Sequence, residues 1–188
     1  MSIDKGTVLI SIARAAIASR LGVAVSCDES AAWLQEHGAT FVTLTQHGQL
    51  RGCIGSLLAT RPLLEDVKQN ALAAAFHDPR FPPLTAQEFG ITQVEVSLLS
   101  VAQPMSFHSE SDALQQLRPG VDGVIFEYGR HRSTFLPQVW EQLPDRQEFM
   151  AHLKQKAGLS PFFWDASVKL SRYSVQKWKQ QDDEEKTV

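Results

Sequence analysis

Cysteine is scarce in this chain of 188 residues: Cys27 and Cys53 are the two present, and they form no Cys-x-x-Cys pair. Neither a disulfide framework nor a four-ligand zinc site can be built from them. Lysine and arginine never gather into a run longer than a pair or two, and 18 of them against 21 Asp and Glu leave a formal net charge of −3. A surface that tracks phosphates needs a basic stripe, so general nucleic-acid binding is not expected. No apolar run approaches the roughly 20 residues that cross a bilayer. Met1-Ser2-Ile3-Asp4-Lys5 also lacks the basic and apolar regions of a signal peptide, so no membrane association and a cytoplasmic location are expected. The nucleotide-binding motifs Gly-x-Gly-x-x-Gly and Gly-x-x-x-x-Gly-Lys-Ser/Thr are missing, as are the zinc-protease His-Glu-x-x-His and serine-hydrolase Gly-x-Ser-x-Gly. His108-Ser109-Glu110 matches half of a zinc-deaminase signature whose cysteine half is absent. No cofactor and no metal are expected.

What is present is an ordinary globular composition, 43% hydrophobic and 21% charged, without the Gly, Pro or Ser excess of a disordered chain. The spacing of Val8, Ile12, Ala15 and Ala16 predicts an amphipathic helix from Asp4 to about Leu21, capped by Asp4 or Thr7 and ended by Gly22. A short helix over Ser30 to His37 follows. Thr40 to Thr45 then alternates around β-branched residues, and a turn at His47-Gly48 leads into a second extended segment from Gln49 to Ser56. Leu64, Val67, Ala71 and Ala75 form the apolar face of a helix that starts at Pro62 and runs to Phe76. Asp78-Pro79-Arg80-Phe81-Pro82-Pro83 ends it with a stiff, non-helical path.

Thr85 and Glu88 have capping-box spacing for about one helical turn. Ile91 to Val101 reads as a strand with Val94, Val96 and Leu98 on one face and Glu95 on the other. Beyond it come a helix over Ser109 to Leu117, a hairpin of Val121 to Tyr128 and Ser133 to Leu136, and helices over Gln138 to Gln142 and Arg146 to Ala157. A closing strand over Val168 to Lys179 changes phase near Arg172, as a bulge would make it. Strands and helices mix without strict β-α-β order, which predicts an α+β fold with a mixed or antiparallel sheet and flanking helices. The length fits a single domain or two small lobes sharing one core, and residues 180–188 are expected to be a solvated, disordered acidic tail.

Leu50-Arg51-Gly52-Cys53-Ile54-Gly55-Ser56 is the most unusual stretch. In a regular strand Arg51 and Cys53 share a face, where a guanidinium favours the thiolate, and Gly52 and Gly55 leave the backbone open to a ligand. The same residues also fit a small buried thiol with glycines at a bulge or a close strand crossing. His77-Asp78-Pro79-Arg80 is a second polar concentration. Cys53, His77 and an orienting Asp78 or Glu95 have the residue types of a nucleophile, its base and an orienter, whereas His77 and Arg80 also fit a plain helix end.

The chain resembles the AMMECR family, whose prokaryotic members are called AmmeMemoRadiSam system protein A. The resemblance rests on Ala39 to Leu44, Leu50 to Leu57, Asp78 to Leu84, Glu95 to Ser100, Pro119 to Ile125, Thr134 to Val139 and Lys156 to Leu159. Lys154 departs from the cysteine that many relatives carry, so a role for that cysteine does not transfer. The resemblance implies an α+β fold in which residues 1–179 form a single domain of two lobes around a groove, with Leu50 to Ser56 near that groove, and association with a Memo-type protein and a radical SAM protein. Two functions are expected beside a third reading, a purely structural scaffold in which the motif is retained for packing. In the first, an accessory or binding protein takes a small anionic ligand or a partner segment through Arg51, Gly52, Gly55, Asp78 and Arg80. In the second, a cysteine-dependent enzyme uses Cys53 as nucleophile, with His77 or Glu95 moving protons.

Overall fold

The computed structural model describes residues 4–180. The tail expected over residues 180–188 lies, beyond Gln180, outside the described residues. Helix α1, Lys5–Arg20, opens where the Asp4 carboxylate accepts the Thr7 N–H at 3.3 Å, and the chain leaves it through Gly22 at φ +73°. Its buried stripe is Leu9, Ile12, Ala13 and Ile17, rotated from the predicted Val8, Ile12, Ala15 and Ala16. Alanines lie on every side of this helix, so the bulk of Leu9 and Ile17 decides which side turns inward. The predicted second helix shrinks to one 3-10 turn, Ala32–Gln35.

Strands β1, Ala39–Gln46, and β2, Gln49–Gly55, form the expected hairpin. His47 and Gly48 both take positive φ, +50° and +76°, the pairing that suits a two-residue turn between right-twisted strands. The hairpin is irregular at one point. Leu44 opposes Gly52 and Thr45 opposes Leu50, so Arg51 is an extra residue bulged out of register.

Helix α2, Leu63–Phe76, buries Leu63, Val67, Ala71, Ala74 and Ala75, with Pro62 at its N-cap. A single turn α3, Ala86–Phe89, carries the predicted capping box of Thr85 and Glu88. Strand β3, Thr92–Leu99, pairs antiparallel with β1. Next come β4, Gln103–Pro104; α4, Glu110–Gln116; β5, Gly123–Tyr128; and β6, His131–Phe135. A 3-10 turn at Pro137–Glu141 precedes α5, Arg146–Lys156.

The closing strand is two strands. β7, Lys169–Tyr173, joins the second sheet, and β8, Val175–Lys179, joins the first. The phase change near Arg172 marks the chain passing from one sheet to the other at Ser174, where the sequence analysis placed a bulge.

The sheets are ordered β2-β1-β3-β8 and β4-β7-β5-β6. The chain accordingly divides into two compact units, one running to Leu99 and resuming at Gln176, the other Ser100–Val175. The first core gathers Leu9, Ile12, Ile17, Val42, Leu44, Val67, Val94 and Val96 under α1 and α2. The second gathers Leu114, Phe126, Met150, Leu153 and Leu170 around Trp140, which stacks on Phe149 with ring centroids 3.7 Å apart. Lys154 is buried in this unit, its ammonium bonded to Glu110 and lying 5.5 Å from the Trp164 ring.

Candidate functional site

Cys53 lies on β2, an edge strand, so the backbone groups that turn away from β1 need partners from elsewhere. The post-helical segment supplies them. Asp78 Oδ2 accepts the Cys53 N–H at 2.9 Å, and Arg80 Nη2 donates to the Cys53 carbonyl at 3.3 Å. An Asp-x-Arg turn thus stands where a neighbouring strand would. Asp78 is itself nearly inaccessible, and it grips Arg80 through Nε at 3.0 Å, Nη2 at 2.7 Å and the backbone N–H at 3.1 Å. The bonds from Arg80, then the Cys53 N–H, hold the Asp78 carboxyl far below the usual carboxylate range despite its burial. Asp78 in turn raises the Arg80 guanidinium above its ordinary value.

Arg80 is not consumed by these bonds. Its side chain remains 54% exposed, and its Nη1 has no hydrogen-bond partner among the described residues. Its guanidinium lies 5.5 Å from the centroid of Phe81. The Cys53 thiol is half-buried and meets the Thr43 hydroxyl at 3.2 Å.

Arg51 is placed differently. The bulge leaves it buried, with Nε and Nη2 on the two Glu88 oxygens at 3.1 and 3.2 Å and Nη2 also on the Pro82 carbonyl at 2.9 Å. Its Nη1 is buried with no hydrogen-bond partner among the described residues. Arg51 lowers the Glu88 carboxyl to about 2, and the capping bonds from Thr85 help. Two arginines therefore tie residues 78–88 to β2 from opposite directions, Arg51 reaching out and Arg80 reaching back. The glycines serve packing. A side chain at Gly52 would begin 2.2 Å from the Ala74 carbonyl oxygen of α2, and one at Gly55 would begin 2.2 Å from the Phe41 ring.

His77 and Glu95 stand apart from this network. His77 caps the C-terminal end of α2, exposed, and its ring makes no hydrogen bond among the described residues. Glu95 shares a cross-strand row with Thr43, which opposes Cys53, but its carboxylate lies between Lys177 and Lys179, 3.4 Å from each ammonium.

Sequence reasoning missed Thr43, Phe81 and Glu88 as neighbours of the motif, and it missed the buried centre at Asp66. Asp66 accepts from the Thr40 N–H at 2.8 Å and hydroxyl at 2.7 Å, Ser56 Oγ at 2.6 Å, Arg61 Nε at 2.9 Å and Asn70 Nδ2 at 3.0 Å. A signal existed: Asp66 and Asn70 fall four apart inside the apolar stripe of α2, where unpaired polar groups would be costly. Among the described residues no group of three or more His, Cys, Asp or Glu is placed to hold a metal ion, and no helix is long and apolar enough to cross a membrane.

The AMMECR1 family model matches residues 10–178. A protein of Methanothermobacter thermautotrophicus is 37% identical over 181 residues, covering 94% of each chain. A protein of Methanocaldococcus jannaschii is 36% identical, covering 94% of this chain and 90% of its own. The crystal structure of an uncharacterised protein from Pyrococcus horikoshii superposes with a TM-score of 0.77 at 32% identity, covering 94% of this chain and 91% of that one.

Proposed function

Because this chain belongs to the AMMECR1 family, we propose that it is an accessory or binding protein of an AmmeMemoRadiSam-type system. It takes an anionic group, from a small ligand or a partner segment, at Arg80 beside Cys53. A Memo-type protein and a radical SAM protein in the cytoplasm are its partners in this reading. One observation carries it: the Arg80 guanidinium is anchored on Asp78 and on the Cys53 carbonyl, yet among the described residues its Nη1 has no hydrogen-bond partner, and its side chain is exposed. A donor fixed in advance loses little entropy when a carboxylate or phosphate arrives. Arg51, buried against Glu88, supports the loop rather than the ligand.

The test is titration calorimetry of Arg80→Gln and Arg80→Lys with inorganic phosphate and with the purified Memo-type and radical SAM proteins. Binding that weakens about tenfold in Arg80→Gln and partly returns in Arg80→Lys is expected. Unchanged binding to all three probes sinks the proposal.

The accessibility of the thiol keeps a second reading in view, in which Cys53 is a nucleophile and His77 or Glu95 moves its proton. It requires one of those two groups to leave its present surroundings for the thiol. Full activity of Cys53→Ala in the reconstituted system would remove it.

A further inference from the structure

At the edge of the first sheet opposite β2, strand β8 has β3 as its neighbour. The Gln180 N–H turns inward to the Val94 carbonyl at 2.9 Å. Alternation along a strand then turns the N–H and C=O groups of Lys179 and Lys177 outward, away from β3. Alongside this edge lies a cavity of 480 Å³, walled by Asp4 and by Gly6, Thr7, Ile10 and Ser11 of α1 on one side and by Trp178 and its strand neighbours on the other.

The two faces of β8 differ in chemistry. Trp178 points toward α1, its indole so close to Gly6 that a Cβ there would begin 2.2 Å from the ring. Lys177 and Lys179 point to the opposite face, sharing the single carboxylate of Glu95, and their side chains are 47% and 76% exposed. Two ammoniums against one carboxylate leave positive charge over on that face, while the cavity face presents Trp178 and Ile10 among polar residues.

We propose that the β8 edge is a docking surface for an extended segment of a partner protein with alternating acidic and apolar residues. The incoming strand pairs with the outward backbone groups of Lys177 and Lys179. Because successive side chains of a strand point to opposite faces, one set of the segment's residues enters the cavity against Trp178 and Ile10, and the other set meets Lys177 and Lys179. The acidic-apolar alternation of the ligand follows from this geometry. The surface is distinct from the one at Arg80, and neither proposal depends on the other.

The probe is a fluorescein-labelled Glu-Val-Glu-Val-Glu-Val peptide, titrated at low salt against the full chain and read by fluorescence anisotropy, with Lys-Val-Lys-Val-Lys-Val as its charge-reversed control. Saturable binding of the acidic peptide is expected, weakened about tenfold by the control charge, by added salt and by Lys177→Glu with Lys179→Glu. Two further peptides leave the protein untouched: one is N-methylated at every glutamate, the other at every valine. One of the two should lose binding and the other keep it, since one alternate set of amides pairs with an edge strand. Equal binding of acidic and basic peptides overturns the proposal, as does indifference to both methylations. It is also overturned if sedimentation shows the chain pairing with a second copy through β8. Acidic-peptide binding that emerges only once Asp182, Asp183, Glu184 and Glu185 are neutralised would assign the edge to the chain's own end and overturn it equally.

Discussion

Replacing Asp78 by alanine removes the acceptor of four N–H donors, from Cys53, the Arg80 backbone and two positions of the Arg80 guanidinium. The half-buried Cys53 N–H loses more than the exposed guanidinium does, so Asp78→Ala should destabilise by about 2 kcal/mol, read from urea denaturation. Glu88 gives a pH signature. Its carboxyl is lowered to about 2 from an ordinary 4.5, so the stability it contributes is complete above the ordinary value and fades as pH falls through the folded one. The stability gap between wild type and Glu88→Gln should therefore be constant above pH about 5 and close progressively toward pH about 2, followed by denaturation at each pH. Asp78 and Arg80 were visible in the sequence because they sit together beside prolines. Glu88 was visible only as a capping residue, since its arginine lies 37 positions away and the bulge that aims it leaves no mark in the residue pattern.

Among the elements, the contact between β2 and α2 is the tightest constraint on the motif. Gly52→Ala drives a methyl group into the Ala74 carbonyl, where backbone meets backbone and no flexible side chain can yield. It should cost about 3 kcal/mol and shift the denaturation midpoint without a change in slope. The link between α2 and β1 through Asp66 is as exposed to loss. Asp66→Ala leaves the buried Thr40 N–H and hydroxyl and the Asn70 amide without their shared acceptor, and should destabilise by about 3 kcal/mol in the same measurement. Helix ends and the hairpin were read correctly where local chemistry specifies them: Asp4 as a cap, Thr85 with Glu88 as a box, His47-Gly48 as a turn. The inward face of α1 was not, because a helix rich in alanine has no distinct apolar side until a sheet is placed against it.

For the molecule as a whole, two cores with two sheets predict two centres of slow amide exchange. They should fall on the inner strands, β1 and β3 in one unit and β7 and β5 in the other, while β2 and β8 exchange faster at their outward amides, except Cys53, whose N–H is held by Asp78. Exchange monitored by NMR or mass spectrometry tests this strand by strand, and a protected outer edge of β8 would contradict the assignment of that edge as open. The sequence by itself determined the α+β class, the hairpin, the Pro-bounded segment and the family, since these rest on local periodicity, turn chemistry and contiguous motifs. Tertiary structure alone decided that Val168 to Lys179 divides between two sheets, because a strand's alternation records which face is buried and not which sheet buries it. It also decided which guanidinium stays available. Arg51 and Arg80 are alike as letters, but a one-residue bulge buries the first on Glu88, and the Asp78 turn leaves the second anchored with a nitrogen to spare.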